Sequence, residues 1–327
     1  MSPRRVTALP LSAAATLALA LASAGALAAD EVAVTPLGSH EGEFCAFDRA
    51  LVFEDPNGTR VLYDAGRTVV GPDDPRLGDI DVVLVSHLHG DHVGDRQLTA
   101  AGAGECGKPG VGDPLEHLTS VAVAAKKGAT IVTGSEMPPF LGAKLEAAGG
   151  DPEKSVLVRF GGSREVGGVT ITTVPATHSN GISGAIVGGE LGAMLDAAGL
   201  TAHAGPPTGY VVTFSNGLVA YLSGDTGMTA EQRTTMADYY GAKLAVINIG
   251  DTYTTGPREA AHVIDELVRP TAVIASHANE AATEGGKVVA GTKTEAFVEA
   301  TETTVHLPLS GRTMRFDAEG NCTGGCD

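Results

Sequence analysis

The run Ser86-His87-Leu88-His89-Gly90-Asp91-His92 places three histidines and an aspartate within six residues. Neutral imidazole and carboxylate are the ligands that zinc and similar divalent metals take. An apolar run, Ile80-Asp81-Val82-Val83-Leu84-Val85, comes directly before it and reads as a buried strand. A strand running into such a cluster delivers imidazoles and a carboxylate to its carboxyl end. Four more segments share this arrangement, in which a strand ends and a potential ligand appears. They are Tyr63-Asp64-Ala65-Gly66, Pro175-Ala176-Thr177-His178-Ser179, Tyr221-Leu222-Ser223-Gly224-Asp225-Thr226-Gly227 and Ile274-Ala275-Ser276-His277. Ligands carried on strand ends converge at one edge of a sheet sandwich, which is how a rigid scaffold presents a site on loops. The pattern predicts a metal site.

The elements that must position these residues follow from apolar patterning. Residues 32–36, 50–54 and 60–63 read as strands, with Asp55-Pro56-Asn57-Gly58 as a hairpin turn between the last two. Residues 100–114, rich in Gly and Pro, read as a loop. Helices are expected over 116–127 and 136–148 with a strand at 130–132 between them, then strands at 156–160 and 169–174. Strands at 210–214 and 218–222 flank Ser215-Asn216-Gly217, a second hairpin signal. A helix over 229–239, a strand at 244–249, a helix over 257–267 opened by Pro257 and a strand at 272–275 complete the order. Strands first, then strands alternating with helices, occur twice, which suggests two packed sheets with helices outside. The Gly/Ala-rich stretch 181–208, with a helix expected over 190–198, reads as an insertion, either a lid or a solvated surface excursion.

At this point the chain resembles the metallo-β-lactamase superfamily. His87, His89, Asp91 and His92 match its His-x-His-x-Asp-His motif. Asp64 matches the earlier aspartate, and His178, Asp225 and His277 match the later His, Asp and His in the family's order. The resemblance runs from about residue 32 to about 316. Segments 205–210 and 255–261 further resemble the metal-dependent hydrolase branch that includes ascorbate-6-phosphate lactonase. The resemblance implies an α/β fold, a four-layer αβ/βα sandwich. It implies two metal positions, one held by His87, His89 and His178 and the other by Asp91, His92 and His277, with Asp225 bridging. Zinc is the expected ion, with manganese or iron as alternatives. Two such ions about 3.5–4 Å apart share a hydroxide and clamp attacking and leaving oxygens. Asp91 and Asp225 are the expected catalytic residues, Asp91 also passing a proton to the leaving group. Asp64 has two readings: a carboxylate that orients a ligating imidazole, or a turn aspartate capping the Ala65-Gly66 bend.

The other histidines read as structural. His262 falls in a helix, His203 follows no strand directly, and His40, His117 and His306 have no chemical context. Tyr253 and Asn279 lie beside the expected site loops and are candidates for substrate contact.

Composition narrows the function. The net charge is −17, and removing a leader that contains Arg4 and Arg5 makes it −19. That field repels polyanions, and aromatic residues are only 4% of the chain, so a base-stacking surface and a nucleic-acid partner are not expected. Residues 1–28 carry a basic start, an Ala/Leu-rich stretch and Ala26-Leu27-Ala28, which read as a signal peptide ahead of a domain over 29–327. The apolar stretch is too short for a stable membrane anchor. An exported protein, periplasmic or secreted, is expected. Export permits disulfides among Cys45, Cys106, Cys322 and Cys326. Four cysteines allow three pairings; a local Cys322–Cys326 pair would leave Cys45 with Cys106. The expected function is a metal-dependent hydrolase acting on a small-molecule ester, lactone, amide or phosphodiester. The alternatives are a non-haem iron oxidoreductase on the same fold and a non-catalytic metal-binding protein.

Overall fold

The computed structural model describes residues 30–326. The signal-peptide reading of 1–28 therefore lies outside the described residues. Two large mixed sheets face each other. One has eight strands, in the order Cys322–Gly324, Met314–Phe316, Val32–Pro36, Leu51–Glu54, Arg60–Tyr63, Val82–Leu84, Thr130–Thr133 and Ser155–Leu157. The other has seven, in the order Thr304–His306, Ala272–Ser276, Leu244–Asn248, Val219–Leu222, Thr208–Thr213, Val169–Pro175 and Ser163–Val166.

Period-two alternation explains the layering. Val61, Tyr63, Val82 and Leu84 point into the space between the sheets, where they meet Tyr210, Val212, Leu222, Val246 and Ile274. Their neighbours Leu62, Val83 and Val85 point outward, under the helices Thr119–Lys127 and Met137–Ala147. Behind the second sheet, Tyr221, Ala245, Ile247 and Val273 pack on the segment that begins with the helix Pro257–His262. Three apolar layers between four structural layers give the expected αβ/βα sandwich. Each sheet has parallel strands joined through a helical crossover, Val82–Leu84 to Thr130–Thr133 in the first and Leu244–Asn248 to Ala272–Ser276 in the second.

Both hairpin turns form. Gly58 and Gly217 each sit at φ 93°, a left-handed value that glycine adopts without a Cβ clash. The tips of the two hairpins belong to different sheets and are tied together: Asp55 accepts hydrogen bonds from the Ser215 amide (2.7 Å) and hydroxyl (2.6 Å).

Several boundaries differ from the sequence expectation. The helix expected from residue 116 starts at Thr119, because Leu115 and Thr119 donate their amides to Asp95 and Gly94 and hold 115–118 as a loop. The expected helix over 229–239 shrinks to wide turns over Gln232–Ala237, with Asp238 N bonding Arg233 O. The helix over 257–267 likewise changes to wide turns at Val263. The strand expected at 156–160 is Ser155–Leu157, and the largely exposed strand Ser163–Val166 carries no apolar signal. Stretch 181–208 holds a small sheet of Gly181–Ile182 with Ala202–His203 and two helices, Gly184–Val187 and Gly189–Ala198. Among the described residues no helix is long and apolar enough to cross a membrane.

Candidate metal centre

All the ligand candidates stand on loops that leave strand ends at one edge of the sandwich. His87 follows Val82–Leu84, and His89, Asp91 and His92 ride on the turn into the one-turn helix Gly90–Val93. Asp64 follows Arg60–Tyr63, His178 follows Val169–Pro175, Asp225 follows Val219–Leu222, and His277 follows Ala272–Ser276. Asp64, His277 and Asn279 adopt φ of 40°, 54° and 57°. Non-glycine residues rarely sit there, and such strain concentrates at functional sites.

The side chains converge. Ligand atoms of His87, His89 and His178 lie within 4.8 Å of one another, as do those of Asp91, His92 and His277. Asp225 lies between the two groups. Its Oδ2 is 3.1 Å from His277 Nε2, 3.3 Å from His92 Nε2, 3.7 Å from His178 Nε2 and 3.9 Å from His87 Nε2.

A hydrogen-bond relay fixes which ring nitrogens face this space. Asp64 Oδ1 accepts from the Ser86 amide (2.8 Å), and Oδ2 accepts from the Ser86 hydroxyl (2.7 Å) and from His92 Nδ1 (2.8 Å). The Ser86 hydroxyl oxygen in turn lies 2.9 Å from His87 Nδ1 and can accept its proton. Both rings then carry hydrogen on Nδ1 and a bare lone pair on Nε2. His92 Nε2 is buried and has no hydrogen-bond partner. A buried polar atom without a hydrogen-bond partner is costly, and two carboxylates, Asp225 at 3.3 Å and Asp91 at 3.8 Å, lie beside it. A divalent cation fits that atom and that donor set. Asp64 thus has the orienting position of the first sequence reading, while also sitting at the bend of the second.

The electrostatics agree. Burial depresses the pKa of His87, His89, His178 and His277, and neighbouring imidazoles or Arg49 depress it further, which keeps these rings neutral. His92 goes the other way. Burial opposes its protonation, but Asp225, Asp91 and Asp64 together raise it to about 10. Burial also opposes ionisation of Asp91 and Asp225; Arg49, His92 and His277 around Asp91, and His92 and His277 around Asp225, hold both well below the usual carboxylate range. The site therefore demands positive charge at the His92 position, as a proton or as a metal ion.

A cavity of about 620 Å³ opens over this cluster. His89, Asp91, His178, Asp225 and His277 line its floor, and Tyr253 and Asn279 line it as well. The rest of its lining was not anticipated: Phe47, Arg49, Arg67 and Lys108 among others. Arg49 Nη2 lies 2.8 Å from Asp91 Oδ2 and 2.7 Å from Asn279 Oδ1. Arg67 follows the Asp64 bend, and Phe47, Arg49 and Lys108 sit in two irregular loops with no periodicity or motif. Their one sequence signal is that Cys45 and Cys106 stand beside them, and those cysteines are disulfide-bonded.

The remaining histidines lie elsewhere. His262 is exposed at the end of its helix, His203 is exposed and accepts the Gly205 amide, and His40 bonds Gly104 O. His117 precedes the helix Thr119–Lys127 and does not reach the site. His306, which the sequence left without context, is near the second disulfide, Cys322–Cys326.

Residues 59–278, which include every ligand candidate, match the Beta-lactamase superfamily domain. The chain belongs to the β-lactamase superfamily. A UPF0173 metal-dependent hydrolase of Methanopyrus kandleri is 33% identical over 201 residues, covering 61% of this chain and 66% of that relative. Another, of Koribacter versatilis, is 29% identical over 262 residues, 79% of this chain and 91% of that relative. Among solved structures, the metallo hydrolase Igni18 of Ignicoccus hospitalis aligns over 88% of this chain and 99% of its own, with a TM-score of 0.56 at 20% identity. The metallo-beta-lactamase fold protein YhfI of Bacillus subtilis aligns over 87% and 99%, with a TM-score of 0.53 at 14% identity. At such identities these superfamily structures speak to the fold alone, and they agree with the sandwich described above.

Proposed function

We propose that this β-lactamase-superfamily protein is a metal-dependent hydrolase of small molecules carrying an ester, lactone, amide or phosphodiester bond. The observation that carries the reading is the convergence of seven candidate ligand side chains, five of them lining the cavity and His87 and His92 buried beneath it, with His92 Nε2 lacking a hydrogen-bond partner. His87, His89 and His178 would hold one divalent ion, and Asp91, His92 and His277 a second, with Asp225 between them. Zinc suits this imidazole and carboxylate set, and manganese or iron are the alternatives. When bound, such ions polarise the scissile group and supply an activated water at neutral pH.

The chain's own groups do the rest. Asp64 and Ser86 hold His92 and His87 with Nε2 inward. Asp91, half-buried and facing the cavity, is placed to pass a proton to a leaving group. Phe47 and Tyr253 offer ring surface on which a substrate body can lie. The relatives named metal-dependent hydrolases support the reaction class. Segments 205–210 and 255–261, similar to the lactonase branch, make lactones the first substrates to assay.

The test is elemental analysis of gently purified protein, followed by lactone, phosphodiester and β-lactam panels. Close to two divalent ions per chain and turnover on one panel are expected. Metal content near zero sinks the reading. Redox turnover with an iron-loaded protein and no hydrolysis would favour the oxidoreductase instead.

We further propose that the protein acts outside the cytoplasm, periplasmic or secreted. The leader-like 1–28 and the paired cysteines support this. N-terminal sequencing of the protein from the native host should find a start near residue 29; a cytosolic protein retaining Met1 contradicts it.

A further inference from the structure

Arg49 is a buried arginine at the edge of the proposed metal centre, and its place is built. Its side chain is 4% exposed. Nη1 donates to Ala46 O (3.2 Å), and Nη2 reaches both Asn279 Oδ1 and Asp91 Oδ2. The loop that carries it is fixed by Asp48, which accepts the amides of Ser39 and Cys45, and by the Cys45–Cys106 disulfide. The guanidinium is therefore not a mobile surface charge that happens to lie nearby.

The atom it holds matters. Asp91 Oδ2, 2.8 Å from Arg49, is also the oxygen 3.8 Å from His92 Nε2 and 3.7 Å from His277 Nε2. A cation held by Asp91, His92 and His277 would have to share that oxygen with a guanidinium a few ångströms away. Like charges repel more strongly in a buried site of low dielectric than in water. His87, His89 and His178 face no such rival among the ion pairs of the described residues.

We propose that Arg49 makes the two metal positions unequal. It serves as a built-in positive charge for Asp91. The His87/His89/His178 position then fills first and tightly, and the Asp91/His92/His277 position second and weakly. This rests on the metal-centre reading above and assigns Arg49 as the positioning residue that sets how many ions the protein holds at a given metal concentration.

Titration of metal-free, disulfide-intact protein with Co²⁺ tests it, followed by visible absorption and by competition with a chromophoric chelator. The wild type should show two steps at least tenfold apart in Kd. Arg49→Gln should tighten the second step at least tenfold and leave the first within threefold. Arg49→Lys, which restores the charge, should restore the separation. The unchanged first step doubles as the control for folding. Two equal steps in the wild type overturn the proposal without needing any variant, and leave the hydrolase reading intact. An Arg49→Gln protein whose second step is unchanged or weaker also overturns it. No Co²⁺ binding at all would overturn both this proposal and the metal-centre reading.

Discussion

At the scale of single residues, the centre depends on side chains that keep lone pairs pointed at one place. His87→Ala and Asp225→Ala should each lower hydrolysis by at least about 100-fold with the fold retained, because each removes a proposed ligand. Asp225→Ala should lose more metal than His87→Ala, since Oδ2 faces rings from both groups. His262→Ala, exposed on its helix, should match the wild type in metal content and turnover. Asp64→Ala removes the acceptor that orients His92 and should weaken metal binding by about 10–100-fold. A pH effect follows from His92. In metal-free protein its value is raised from 6.5 to about 10, so the stability it contributes is full below 6.5 and is lost as pH rises through 10. Urea unfolding of the metal-free protein should show that loss on going from neutral to alkaline pH. The metal-loaded protein should not show it, because an ion then takes the proton's place; an identical loss in both would contradict the assignment. The seven candidate side chains could be picked out in the sequence because they follow the ends of apolar runs, four of them clustered after Val85. Arg49 could not, since nothing local distinguishes an arginine that will meet Asp91 across 42 positions of chain.

At the scale of elements, the cavity has one wall made of strand-end loops and another made of two irregular loops. The second wall owes its shape to Cys45–Cys106, which closes 61 positions of sequence and fastens Ala46, Phe47 and Arg49 beside Gly107 and Lys108. The Cys45→Ser/Cys106→Ser protein should lose about 2–4 kcal/mol of stability. Its KM should rise by a larger factor than its kcat falls, because the cysteine-bearing loops would position substrate while the proposed ligands stand on other loops, anchored at the strand ends. Thermal melts and steady-state kinetics check both parts, and an unchanged KM would remove this wall from substrate binding. Hairpins and buried strands were readable because turn chemistry and apolar runs are local signals. Helix limits were not. The start at Thr119 is set by amides captured by Gly94 and Asp95, and the wide turns after Gln232 and Val263 are set by packing against the second sheet.

At the scale of the whole molecule, the sandwich is held by its central apolar layer and by polar ties between its halves. Asp55 is nearly buried and joins the two hairpin tips far from the metal centre. Asp55→Ala should cost about 1–3 kcal/mol by leaving Ser215 without its acceptor, with turnover at low temperature unchanged. Chemical denaturation and activity measured on the same preparation check it. The layer order was legible from two rounds of strands followed by helices; the pairing of the first strand with the last ones was not, because no local signal records contacts across nearly the whole chain. That pairing has a temporal consequence. Val32–Pro36 lies between Leu51–Glu54 and Met314–Phe316, with Val32 opposite Phe316. A ribosome adding about 5–20 residues per second needs well over ten seconds to get from one partner to the other. Throughout that interval one edge of the first strand has its amides and carbonyls unmatched, a template for unwanted pairing. The first sheet therefore cannot be completed before Met314–Phe316 has been made, and a polypeptide emerging amino end first stays open along that edge until that segment arrives.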